Sequence, residues 1–124
     1  MIIVDDAYAL PTRDWFYAQY GPALTRNLAL LGAADYTPEA NDCDDFGMIA
    51  TALGRLNNHL FAPAREALAL GFIGYTSATL GNHEIIFTVV RENDQRVLLF
   101  MEPQNRQPVG VSRAELGRTL YLYV

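Results

Sequence analysis

Asn41-Asp42-Cys43-Asp44-Asp45-Phe46-Gly47 is the stretch on which the fold turns, because a turn-rich segment gives way here to a long helical pattern. Upstream, Gly32 to Asn41 contains Pro38 and several small residues and reads as a loop, which leaves Asp42 at the position of a helix N-cap. Downstream, Phe46, Ile49, Leu53, Leu56 and Leu60 recur at helical spacing and predict an apolar stripe. Gly47, Ala50, Thr51 and Gly54 are small, so other elements can pack closely against this helix.

Working outward, Phe16, Tyr20, Leu24, Leu28 and Leu31 share a helical face, and Gly21-Pro22 divides that segment into two helical pieces starting near Arg13 or Asp14. Ile2-Ile3-Val4 reads as a short strand. Pro63 to Leu70 reads as a turn or two of helix stopped by Gly71. After Gly71 the texture becomes β-branched and aromatic: Phe72 to Thr76, Glu84 to Val90, Val97 to Met101 and Leu120 to Val124, with turn residues between them. Helices first and an antiparallel sheet second predict an α+β fold, with the cysteine-bearing helix packed on the sheet, in one domain spanning residues 1–124.

Composition narrows the classes. With 51% hydrophobic residues the 124-residue chain can bury a core, and it contains no apolar run of membrane-spanning length. No basic segment leads into an apolar stretch at its start, so the expected location is cytoplasmic or phage-particle associated, without a signal peptide. Cys43 is the only cysteine, which excludes an internal disulfide. All nine basic residues are arginines without clustering, and the net charge is −5, which argues against a nucleic-acid partner.

The chemistry-bearing residues are Cys43 at the helix start, His83 where an apolar strand begins and Glu102 where the next strand ends. Cys, His and a carboxylate are the parts of a thiol-based catalytic triad. The helix dipole would lower the Cys43 pKa, while Asp42, Asp44 and Asp45 would raise it. A hairpin loop centred between Glu92 and Asn93 sets His83 opposite Glu102; one centred between Asn93 and Asp94 sets Glu102 diagonally across, opposite Ile85. Either even-length loop keeps the two on one face, and an odd one separates them. Gln104 lies within reach of that end and Tyr36 in the loop leading to Cys43; both are candidates for substrate or oxyanion contacts. The bland alternative is a small core cysteine with first-turn acids that only complement the helix dipole.

Asn41 to Phe46, Gly81-Asn82-His83-Glu84 and Phe100-Met101-Glu102-Pro103-Gln104 together resemble the papain-like and transglutaminase-like cysteine peptidase superfamily. Within it the resemblance is to the calcium-dependent cysteine protease domain of a fungal agglutinin and to small bacterial and phage relatives. It implies a papain-like fold, a thiol-dependent hydrolase acting on a peptide or isopeptide amide, and a catalytic set of Cys43, His83 and Glu102. It also implies Ca²⁺ as a cofactor, with Asp44 and Asp45 as the matching acids. The partner is then a peptide or protein substrate, with neither nucleic acid nor membrane involved. Leu120 to Val124 can pair across a homodimer or complete its own sheet. The rival reading is a non-catalytic binding or phage-associated structural module on the same fold.

Overall fold

The computed structural model describes residues 7–38, 41–61 and 66–124, without the side chains of Leu60 and Phe61. The strand expected at Ile2-Ile3-Val4 lies outside the described residues. The element order is β1 (Tyr8–Ala9), a π-helix (Trp15–Tyr20), α1 (Gly21–Leu30), α2 (Cys43–Phe61), β2 (Ala67–Leu68), β3 (Leu70–Ser77), β4 (Gly81–Glu92), β5 (Gln95–Met101), α3 (Arg113–Leu116) and β6 (Thr119–Tyr123). Strands β5-β4-β3-β6 form an antiparallel sheet, and β1 pairs in parallel with β2. The protein is therefore α+β, as its pattern predicts.

Gly21-Pro22 does not break the first helical segment. The Gly21 N–H donates to the Phe16 carbonyl five residues back, so the π-helix runs directly into α1, and Pro22 sits in the first turn of α1 where no N–H is needed. Phe16, Tyr20, Leu24 and Leu28 are buried in the core between helices and sheet, and the Tyr20 hydroxyl donates to the Ala50 carbonyl at 2.6 Å. Leu31 is instead exposed, just past the end of α1.

Two readings need correction. The segment before Gly71 was expected to be helical, yet Ala67–Leu68 is a strand and Leu70 already belongs to β3. Its apolar side chains reach the core while its backbone pairs with Tyr8–Ala9, a long-range contact that local propensity does not encode. The second concerns the face of α2. Leu56 is exposed, Ile49 and Leu53 are only partly buried, and the inward face is Phe46, Gly47, Ala50, Thr51 and Gly54. A Cβ on Gly47 would lie 1.9 Å from Glu84 Oε1, and one on Gly54 2.2 Å from Leu70 Cδ2. The helix approaches the sheet so closely that its small residues, rather than its leucines, form the contact.

The β4–β5 hairpin turns through Asn93 and Asp94, both with positive φ (49° and 60°), as a two-residue loop of the type that matches strand twist. Pairing Glu92 with Gln95 and Ile86 with Met101 centres the loop between Asn93 and Asp94. Beyond the sheet, α3 opens on a capping box: Ser112 Oγ accepts from the Glu115 N–H at 3.2 Å, and Glu115 Oε2 accepts from the Ser112 N–H at 3.0 Å. Glu115 also accepts from the Ala78 N–H, and these bonds hold its carboxyl down to about 2. Ser112→Ala is expected to cost about 1 kcal/mol, read as a lower urea midpoint at unchanged m-value.

Candidate functional site

Cys43 opens α2 beneath the start of β4. Its thiol accepts a hydrogen bond from the backbone N–H of Glu84, which brings it to the residue after His83. The β4–β5 register places His83 and Glu102 on one side, and His83 Nε2 lies 2.6 Å from Glu102 Oε2 with both side chains largely buried. Tyr75, directly opposite His83 on β3, packs edge-on against its ring at 6.2 Å. The structure thus pairs His83 with Glu102, while the Cys43 thiol meets the backbone of the next residue, Glu84.

The outer candidates stand differently. Gln104 meets the Glu102 carboxylate through its backbone N–H at 3.3 Å, not through its side chain, and its carbonyl accepts from Arg106. Tyr36 is exposed on the loop that Asn41 closes, where the Asn41 side-chain amide donates to the carbonyls of Ala33 and Asp35. Asp45 is committed to the helix start, where its Oδ2 accepts from the Asp42 N–H at 3.2 Å. The acids with ligand atoms gathered beside the thiol are Asp42 and Asp44: one atom from each of Asp42, Cys43 and Asp44 lies within 4.8 Å of the others. A hydrogen bond shared with Asp42 is the main reason that the Asp44 carboxyl lies above its ordinary range, and burial adds to it.

Glu84 is the residue that sequence reasoning undervalued. It sits on an apolar strand that predicts nothing about its charge, yet it is 1% exposed. Its Oε2 accepts from the Tyr121 hydroxyl at 2.6 Å, while its Oε1 has no hydrogen-bond partner among the described residues; neither has Asp42 Oδ1. Burial pushes Glu84 up to about 7, the Tyr121 bond opposes the shift, and the charges of Asp44, Asp42 and Asp45 reinforce it. The signal available in the sequence was Gly47: only a residue without a Cβ leaves room for this carboxyl beneath α2.

This environment works against a thiolate. Burial raises the Cys43 pKa above its ordinary value, the Glu84 N–H counteracts it, and the charges of Asp42, Glu84 and Asp44 raise it further.

Neither the known family models nor the curated protein sequences contain a match. Among solved structures, the chain is similar to PSL1a in its complex with E64, at 27% identity and a TM-score of 0.60, over 82% of this chain and 34% of that one. It is also similar to Polyporus squamosus lectin bound to the human-type influenza-binding epitope Neu5Acα2-6Galβ1-4GlcNAc, at 24% identity and a TM-score of 0.67, over 93% of this chain and 38% of that one. The chain therefore spans a little over a third of the length of the structures it resembles. This likeness overturns the placement in the papain-like and transglutaminase-like cysteine peptidase superfamily: the fold recurs within a chain described as a lectin. The reading as a thiol-dependent hydrolase, with its peptide substrate and its phage association, is corrected with it.

Proposed function

We propose that this chain is a non-catalytic binding module and that its ligand is held through hydroxyl groups at the acids beside Cys43. The observation that carries the proposal is the group of acceptor atoms at the start of α2, where one atom from each of Asp42, Cys43 and Asp44 lies within 4.8 Å of the others and Asp44 is exposed. Exposed carboxylate oxygens accept hydrogen bonds from the neighbouring hydroxyls of a polyhydroxylated ligand. A glycan is the ligand class that fits, and the likeness to a lectin supports it. The net charge of −5 and the surrounding carboxylates favour a neutral sugar over an anionic one.

In this reading Cys43, His83 and Glu102 are contact and positioning residues, with Gln104 and Tyr36 at the periphery. Calcium has a place in it: Asp44 with Asp42 supplies two hard oxygen ligands, and vicinal sugar hydroxyls with water would complete the six to eight that Ca²⁺ takes. Asp45, spent on the helix start, is the weaker candidate.

The test is calorimetric titration with Galβ1-4GlcNAc, with and without Ca²⁺, alongside the intact mass of the protein after incubation with E64. The expected result is saturable binding weakened at least about tenfold, some 1.4 kcal/mol, by Asp44→Asn, together with an unchanged protein mass. Absence of binding in both conditions, or a mass increase that Cys43→Ala abolishes, would overturn the proposal.

A further inference from the structure

On the sheet face turned away from α2 lies a pocket of about 530 Å³, within the range of small-molecule sites. Its shape follows from strand register. Side chains alternate along β4, so Phe87, Val89 and Arg91 share this face. Their partners across β5 are Phe100, Leu98 and Arg96. The face therefore grades from a buried aromatic row through an aliphatic row to two exposed arginines. On the other side of β4, Gly71 pairs with Phe87, and the Ala69 carbonyl accepts from the Val89 N–H. Both residues are small, so the floor is sunken there, and Leu122 and Val124 close its far side.

Arg91 and Arg96 decide what would fit. As direct cross-strand partners their Cβ atoms are about 5 Å apart, and like charges so placed repel. Neither has an ion pair among the described residues, because the neighbouring acid Glu92 is taken by Arg13, with Nε 2.7 Å from Oε1. Glu66 is the one acid among the described lining residues, against two guanidiniums, so the charged end of the pocket is net positive. An anion seated between the two arginines offsets their repulsion, and the guanidinium fork matches a carboxylate. From Arg91 back to Phe87 the strand advances roughly 13 Å, past the apolar side chains of Val89 and Ala69. A ligand that fits both ends is charged at its head and apolar along its length.

We propose that this pocket binds a linear aliphatic carboxylate, its head between Arg91 and Arg96 and its chain running over Val89 and Ala69 towards Leu122 and Val124. The site lies on the opposite face of the sheet from α2 and does not depend on the glycan reading.

The experiment is NMR titration of the whole chain with octanoate, with 1-octanol as the ligand lacking the charge and butanoate as the ligand lacking the tail. The expected result is saturable octanoate binding with a Kd of about 0.1 mM, at least about tenfold tighter than either control, with the shifts centred on Val89, Arg91 and Arg96. Arg96→Gln changes an exposed position and relieves a like-charge pair, so the fold is expected to persist while octanoate falls to the level of octanol. Arg91→Gln is expected to do the same. No saturable shifts, octanoate binding equal to that of either control, shifts centred elsewhere, or unchanged octanoate affinity in both variants would each overturn the assignment.

Discussion

Gly71→Ala is expected to destabilise the protein by about 3 kcal/mol and to lower its melting temperature by roughly 10 °C. A Cβ at this position would lie 2.0 Å from the carbonyl oxygen of Tyr123 and 3.0 Å from Phe87 Cε1. The first obstacle is backbone, so no rotamer change relieves it. The adjacent Phe72–Tyr123 pair must separate, and with it the anchorage of β6 on the edge of the sheet. Gly110→Ala is the control, because a Cβ there meets nothing within 4 Å. Thermal melts of the two variants check the prediction, and amide exchange should show protection lost first in β6. A Gly71→Ala protein melting within about 2 °C of wild type would show that β6 can shift without cost.

The second large effect concerns pH. Glu84 carries a folded-state value of about 7 against an ordinary 4.5, so the native state holds this proton more strongly than the unfolded chain does. The sign follows: the stability associated with the protonated carboxyl is fully present below about pH 4.5 and is lost as pH rises through 7. Allowing for partial screening of the charged form, the loss is about 2 kcal/mol. Glu84→Gln removes the charge that Asp42, Asp44 and Asp45 oppose while keeping the shape beneath Gly47. The variant should match wild type near pH 5 and melt roughly 6–10 °C higher at pH 8. Parallel stability profiles for the two proteins between pH 5 and pH 8 would refute the assignment.

The same residue shows where sequence reading runs out at the site. The sequence placed His83 and Glu102 on one face only on condition that the hairpin loop has even length; the two-residue Asn93-Asp94 turn meets that condition, and the side chains lie 2.6 Å apart. Cys43 could be placed at a helix start from turn composition followed by helical spacing. Glu84 could not be placed. On an apolar strand an acid reads as solvent-facing, and only the close approach of α2 at Gly47 turns it into a buried carboxyl. Burial of the thiol itself is the largest influence on it, with the charge of Glu84 a lesser one.

By itself, the sequence determined the local periods. These are the strands after Gly71, a turn within Glu92-Asn93-Asp94, the start of α2 at Cys43 and the α+β order of helices before sheet. Each depends on interactions within a few residues or across a single hairpin. Tertiary structure alone decided which face of α2 meets the sheet, the parallel pairing of Tyr8–Ala9 with Ala67–Leu68, the π-helical winding of Trp15–Tyr20, and the two oxygens left without donors beside Cys43. These depend on how closely distant segments approach. That distance is set by side-chain volume summed over the whole core, and a glycine that looks like a weak point in a helix becomes the point of tightest contact.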